Sequence, residues 1–205
     1  MYARTTTIEG MPSSVDAGIA YVREKVMPLL EGLEGHIGLS LLADRSSGRC
    51  ITTSAWESED AMRASEPAVQ DVRSRAAEIF GGGSPTVDEW EIAVLHRDHG
   101  AGEGALVRVT WANVNPAQID SGIEVFKSAL PAMQDLGLCS ASLLVDRASG
   151  RGVSSMAFES ADAVERNRAE MDRLKGSVSE EAAAQIFDEH DFELTIAHLR
   201  VPELA

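Results

Sequence analysis

The sequence contains itself twice. Residues 40–61, SLLADRSSGRCITTSAWESEDA, align without a gap on residues 142–163, SLLVDRASGRGVSSMAFESADA, and 13 of the 22 positions are identical. Most of the others are close: Ile51 against Val153, Thr52 against Ser154, Trp56 against Phe158. The match extends outward, with ARTT (3–6) on VRVT (107–110), Pro12 on Pro116, Asp16-x-Gly18-Ile19 on Asp120-x-Gly122-Ile123, and WEIAVLH (90–96) on FELTIAH (192–198). A period of this length means that one supersecondary unit has been duplicated, so the fold of one copy is the fold of both. The copies span 1–97 and 105–205. DHGAGEG (98–104), polar and rich in glycine, reads as the linker.

Each copy reads through the same elements. Residues 2–8 and 105–112 are rich in Thr and Val and suit a strand. Apolar residues then recur at helical spacing, as Val15, Ile19, Val22 and Val26, and as Ile119, Ile123, Phe126, Leu130 and Met133. Ser14 and Asn115 are suitable caps, Pro116 suits the first helical position, and Pro28 and Pro131 mark kinks or ends. Two strands follow as a hairpin around DRSSGR (44–49) and DRASGR (146–151), where Gly48 and Gly150 supply the left-handed backbone of the turn. Ser58 and Ser160 cap a second helix with acids in its first turn, broken around Pro67 in one copy and Gly176 in the other. A last strand covers 88–96 or 191–199. The order β-α-β-β-α-β predicts an α+β fold of two tandem ferredoxin-like units, each with two helices on one face of an antiparallel sheet. Two fused copies can cover each other's open sheet faces, sheet against sheet, inside one chain, and further homodimerisation remains open.

Charge and motifs exclude several functions. The chain has 18 basic and 33 acidic residues, and the excess is even: −7 over residues 1–100 and −8 over residues 101–205. That field repels phosphate backbones and anionic lipid, so neither a nucleic acid nor a membrane is an expected partner. Cys50 and Cys139 occupy non-equivalent positions and form no CxxC pair, which argues against a disulfide framework or a thiolate metal site and points to a reducing, cytoplasmic setting. MYARTTTIEG lacks the pattern of a signal peptide, and no apolar run approaches the ~20 residues of a membrane span. No P-loop, GxGxxG, HExxH or GxSxG motif is present, and GGGSP (81–85) has no following helix with which to bind phosphate. No cofactor and no metal is expected.

A β-α-β-β-α-β unit with DRSSGR and AWES (55–58), and again DRASGR and AFES (157–160), resembles the antibiotic biosynthesis monooxygenase (ABM) superfamily of dimeric α/β barrels. The resemblance covers nearly the whole chain, twice. It implies two units paired through their sheets with the helices outside, made here within one chain as an intrachain pseudo-dimeric α/β barrel. Members with known activity include cofactor-free oxygenases of polycyclic aromatic substrates and haem-degrading enzymes. The haem-degrading pattern implies an iron-ligating histidine nine residues after the aromatic, but those positions here are Ser65 and Asn167, so haem degradation is disfavoured. The asparagine of those enzymes' first strand is not evident beside Arg4 and Thr6, or Arg108 and Thr110.

The candidate site residues are those that repeat, or conspicuously fail to. His96 and His198 end the last strands, on the faces that alternation assigns to Trp90, Ile92 and Val94, and to Phe192, Leu194 and Ile196. Each is a general base at a pocket or, more commonly, a structural histidine. Trp56 and Phe158 stack on a planar substrate or pack against the second helix. Arg4 and Arg108 bind an acidic substrate group or pair with an acid across the sheet. His36 faces Leu138 in the alignment, and Trp111 replaces Thr7; such asymmetry fits one repeat keeping a site and also fits drift. The arginines of the two hairpins, Arg45, Arg49, Arg147 and Arg151, present a cationic rim for binding or, more commonly, solvate their turns. The functional expectation is an ABM-like protein with a small-molecule binding or scaffold role and no assignable catalytic centre, its ligand small and apolar or aromatic. The alternative is a cofactor-independent monooxygenase of a small aromatic or polyketide-like substrate, in which the substrate anion activates dioxygen.

Overall fold

A computed structural model describes residues 1–98, 101–158 and 160–199. Two residues of the expected linker, His99 and Gly100, and Glu159 of AFES lie outside them. The first repeat contains β1 (Tyr2–Glu9), α1 (Val15–Tyr21), a π-helical turn (Val22–Val26), α2 (Met27–Glu31), β2 (His36–Ala43), β3 (Arg49–Trp56), α3 (Glu59–Ala64), α4 (Glu66–Ile79) and β4 (Thr86–Arg97). The second contains β5 (Leu106–Asn113), α5 (Ile119–Asp135), β6 (Leu138–Asp146), β7 (Arg151–Phe158), α6 (Ala161–Arg166), α7 (Arg168–Glu181) and β8 (Gln185–Leu199). The α+β reading and the ferredoxin-like order hold in both. The strands hydrogen-bond in the order β1-β3-β2-β8-β5-β7-β6-β4, which closes on itself. No helix among the described residues is long and apolar enough to cross a membrane.

The chain divides into two compact units. Unit 1 is Met1–Trp90 with the segment of β8 from Glu193, and unit 2 is Glu91–Phe192. In unit 1, Gly38–Ala43 of β2 pair with the end of β8; in unit 2, Ser140–Val145 of β6 pair with the end of β4. Each unit therefore takes half of one strand from the other repeat. In unit 1, Val15, Val22, Val26 and Leu30 from the first helical segments pack with Leu39, Leu41, Trp56, Val69 and Phe80. The equivalent core of unit 2 gathers Ile119, Ile123, Phe126, Leu130 and Met133 with Leu138, Val145 and Phe158. The helical periodicity read from the sequence is thus the buried stripe of both copies.

Several local expectations are corrected. Neither Pro28 nor Pro131 ends its helix. Pro28 falls in the first turn of α2, where a missing N–H is tolerated, and α5 runs through Pro131 to Asp135. From Val15 to His36 is 21 residues, and from Ile119 to Leu138 is 19. The π-helical turn absorbs part of that excess, since one i→i+5 turn accommodates one inserted residue, and the Met27 N–H bonds the Val22 carbonyl accordingly. Ser14 precedes α1 without a side-chain capping bond, whereas Asn115 and Ser58 accept from the Ala117 and Ala61 N–H groups. The second helices break at Ser65 and Asn167, so in the second copy the break is not at Gly176, which lies inside α7.

The hairpin arginines do more than solvate a turn. Arg45 binds Asp16 in the first turn of α1 and Glu193 of β8, with 2.8 Å to the latter. Arg147 reaches Asp120 at 2.7 Å and Glu91 at 2.6 Å. Each clamps helix to sheet, which explains why the Asp of Asp-x-Gly repeats. The turns themselves are held by Asp44 and Asp146. Asp146 accepts from the Ala148 N–H at 3.0 Å and from the Ser149 hydroxyl, and those bonds, the hydroxyl's first, hold its carboxyl below the usual range. Because the folded value is depressed, the stabilisation is present above the ordinary aspartate pKa of about 3.9 and is lost as the pH falls through the lower folded value. Asp146→Asn should therefore flatten the loss of Tm between about pH 4 and pH 2, by no more than about 1 kcal/mol because the turn is solvent-screened. Identical Tm-versus-pH curves for both proteins would contradict this role.

Candidate functional site

The sheet of unit 2 and its helices do not close completely on each other. Between them lies a cavity of about 120 Å³. Its floor is Thr110 and Ala112 of β5, Leu143 and Val145 of β6, and Ser154 and Met156 of β7; α5 contributes Ile123, Phe126 and Met133, and the far wall is Lys175, Val178 and Ala182. The side chains are mostly aliphatic or thioether. Thr110, Arg151, Ser154, Lys175 and Ser179 interrupt them; at one corner Lys175 Nζ donates to Glu189 Oε1 at 2.9 Å, and the Thr110 hydroxyl donates to Glu189 Oε2 at 3.0 Å. Because the Thr110 proton is directed to Glu189, its oxygen lone pairs remain as an acceptor for an occupant's hydroxyl.

The same elements of unit 1 enclose only about 50 Å³. The residue after α4 is Phe80, wholly buried, and the residue after α7 is Ala182. A methyl group built on Gly18 would lie 2.2 Å from the Phe80 ring, whereas one built on the equivalent Gly122 would meet the Ala182 methyl at 3.9 Å. The ring fills in unit 1 the space that unit 2 leaves open.

The residues singled out from the sequence are placed as follows. Arg4, Trp56 and His36 come together in unit 1. Arg4 and Trp56 line its small cavity, and the His36 ring meets Trp56 edge-on at 5.2 Å. Trp56 is wholly buried and its Nε1 donates to the Ser54 hydroxyl at 3.0 Å. Arg4 is 3% exposed; it donates to Glu89 Oε1 at 2.8 Å, the Met62 carbonyl at 2.9 Å and the Ser65 hydroxyl at 3.0 Å, and ion-pairs with Glu66 at 3.2 Å. With its donors so engaged, Arg4 acts as an internal strut. Arg108 holds Asp191 bidentately at 2.7 and 2.8 Å, and with Phe158 borders an adjoining space of about 30 Å³ in unit 2 that shares Met133, Met156 and Lys175 with the larger cavity. Both arginines thus pair with an acid of the last strand.

Trp111, His96 and His198 stand apart from the unit 2 cavity. Thr110 and Ala112 face it, so alternation turns Trp111 to the opposite side of the sheet. The single face expected for Trp90, Ile92, Val94 and His96 does not exist. A bulge shifts the register between Ile92 and Val94, so Val94 packs among the helices with Ala141, which is the partner of His96. Trp90 is instead on the other face, donating to the Thr5 hydroxyl at 2.9 Å. The matching bulge in β8 separates Leu194 from Ile196, and His198 lies opposite Leu39 in unit 1, its Nε2 3.0 Å from Glu31 Oε1. An extra residue turns each histidine over.

The positions where a haem-degrading enzyme would carry its ligand serve the helix break instead. Ser65 donates to the Met62 carbonyl at 2.6 Å, and Asn167 donates to the Leu136 carbonyl at 3.0 Å. A hydroxyl and an amide so engaged do not fit a haem iron. Cys50 is also inert, its thiol pushed up to about 12 mainly by burial.

The sequence reading missed the cavity itself. Its signal was available in the alignment, where a large aromatic faces an alanine at positions 80 and 182 while the glycines opposite them, 18 and 122, are both kept.

No family model matches the sequence. Two Mycobacterium tuberculosis proteins match it from end to end. "Uncharacterized protein Rv2557" is 57% identical over 206 residues, covering all of this chain and 92% of its own, and "Uncharacterized protein Rv2558" is 53% identical over 207 residues, covering all of this chain and 87% of its own. Among solved structures, a candidate monooxygenase from Lactobacillus acidophilus superposes with a TM-score of 0.70 at 10% identity, over 97% of this chain and 96% of its own. An anthrone oxidase-like protein gives 0.70 at 13%, over 100% and 95%. A Listeria monocytogenes ferredoxin-fold protein related to antibiotic biosynthesis monooxygenases gives 0.55 at 12%, over 95% of each chain. The fold is therefore the ABM-like α/β barrel, and the chain belongs to one family with Rv2557 and Rv2558 of Mycobacterium tuberculosis.

Proposed function

We propose that the chain binds a small apolar or aromatic molecule bearing a hydroxyl group, in the cavity of unit 2. The observation that carries this reading is a largely apolar space of about 120 Å³ in which two of the polar lining residues, Thr110 and Lys175, are tied together through Glu189 behind the wall. Apolar walls supply affinity, and a few fixed polar groups supply orientation. The monooxygenase and anthrone oxidase names carried by structures of the same fold support an aromatic occupant. The test is a thermal-shift screen against phenols and quinones. At 100 Kd of free ligand the expected stabilisation is about 2.7 kcal/mol, or roughly 5–10 °C in Tm for a chain of this size. No shift with any member of the panel would remove the support for binding.

A second reading is favoured by Glu189. A cofactor-independent monooxygenase needs a base to draw the proton from its substrate, and the Thr110 hydroxyl links the cavity to this carboxylate. No histidine among the described residues lines the cavity, so the base would be Glu189 rather than His96 or His198. Oxygen uptake with a bound phenol that is lost in Glu189→Gln, with binding retained, would support it; no uptake by the wild type would leave the binding role alone.

A further inference from the structure

We infer that the residue closing the second long helix, Phe80 in unit 1 and Ala182 in unit 2, decides which unit takes a ligand and how large that ligand is. The chain then binds one molecule, in unit 2, of the size of a single substituted aromatic ring, while unit 1 is held shut by its own phenylalanine. This rests on the binding role proposed above.

The two units are built alike around this point. Both keep a glycine in the first helix, Gly18 and Gly122, facing the end of the second. In unit 1 the Phe80 ring lies where any larger residue at 18 would have its Cβ. The plug is also fastened at its backbone. The Met11 N–H bonds the Phe80 carbonyl at 2.8 Å, the Gly82 N–H bonds the Ala77 carbonyl at 2.9 Å, and Gly81 turns the chain at φ 74°. Close approach enforces the same arrangement: a Cβ on Gly10 would stand 2.5 Å from the Phe80 carbonyl oxygen, and one on Gly82 would stand 2.7 Å from Ile8. Phe80 is thus a fixed part of the core and not a movable lid.

Unit 2 keeps the backbone of this turn, the Ala184 N–H bonding the Ser179 carbonyl at 2.8 Å, but has neither the glycines nor the aromatic ring. Val114, Ala183 and Ala184 stand where unit 1 has Gly10, Gly81 and Gly82, and Ala183 keeps the turn at φ 50°, the one non-glycine residue with positive φ among those described. Ala184 joins Ala182 in the cavity wall, and Ile186, 40% exposed, stands at its rim. Apolar cavities of about 150 Å³ accept benzene, so about 120 Å³ with an accessible rim suits one ring and not a fused pair.

The experiment measures stoichiometry and affinity by calorimetry with p-cresol and 2-naphthol on the wild type, Ala182→Phe and Phe80→Ala. The wild type should bind one p-cresol per chain and bind 2-naphthol at least tenfold more weakly. Ala182→Phe should lose p-cresol binding by at least tenfold with Tm unchanged or raised, because Gly122 still provides the floor the ring needs. Phe80→Ala, where it folds, should gain a second equivalent. Two equivalents on the wild type, or undiminished binding to folded Ala182→Phe, would overturn the inference while leaving the binding role intact. Absence of wild-type binding to both probes and to the wider phenol and quinone panel would instead overturn the binding role, and the inference with it.

Discussion

Arg4→Met should lower the stability of the chain by about 3 kcal/mol, while Arg108→Met should cost about 1 kcal/mol, although the two arginines are repeat equivalents. Arg4 is 4% exposed in its side chain and joins two carboxylates, a buried hydroxyl and a main-chain carbonyl. Removing it leaves the carbonyl of Met62 and the hydroxyl of Ser65 each short of one bond inside the fold, and leaves Glu66 and Glu89 without a common counter-charge. Those two acids keep 42% and 38% exposure and can rehydrate in part, which holds the loss to the lower end of the range for a broken buried pair. Arg108 has one bidentate partner, Asp191, which is 41% exposed and can turn to water. The expected falls in Tm are roughly 6–12 °C and 2–4 °C. Equal losses would mean that the Arg4 network contributes no more than a surface pair.

The pH dependence of this network has a definite sign. The carboxyl of Glu66 is held below its ordinary range, first by the hydrogen bond from Arg73 and then by the fields of Arg73 and Arg4. A depressed folded pKa means that the stabilisation is full above the ordinary glutamate value and is lost as the pH falls through the lower one. Arg4→Met removes only the smaller share, so its destabilisation should shrink on acidification without vanishing before Glu66 is protonated.

How much of this was legible beforehand follows from what each feature depends on. The duplication, the helical stripes and the DRxSGR hairpins are local patterns, and each maps onto an element of the fold. The faces of His96 and His198 were not legible, because a bulge at Ala93 or Thr195 changes the face without changing the composition of the strand. Trp90, Ile92 and Val94 are all buried, two on one side and one on the other, so apolar alternation does not reveal the turnover. The break at Asn167 was missed because Gly176 carries the stronger local signal, whereas helix packing sets the actual position. Arg4 and Arg108 were legible as partners of acids across the sheet, but the depth of the Arg4 network needs residues 61 and 85 positions away. The cavity needed one further step: comparing the copies for residue volume rather than for identity.

That comparison yields a sharp test in the scaffold itself. Gly18→Ala and Gly122→Ala are the same substitution at equivalent helical positions, and they should have opposite signs. In an exposed helix, alanine in place of glycine gains about 1 kcal/mol from the reduced freedom of the unfolded chain. At Gly122 nothing opposes that gain, since the new methyl meets the Ala182 methyl at an ordinary 3.9 Å, and Tm should rise by about 2–4 °C. At Gly18 the methyl would lie 2.2 Å from a wholly buried ring. Overpacking of a filled core costs about 1–3 kcal/mol, and a clash this close belongs at or above the upper end, so the net effect should be a loss of about 2 kcal/mol. Pairing Gly18→Ala with Phe80→Leu should recover part of the loss, because residues in contact couple while distant ones add. The same second substitution combined with Gly122→Ala should be purely additive. Equal effects of the two glycine substitutions would mean that the ring of Phe80 does not occupy the space over Gly18, and the difference between the two interiors would then need another cause.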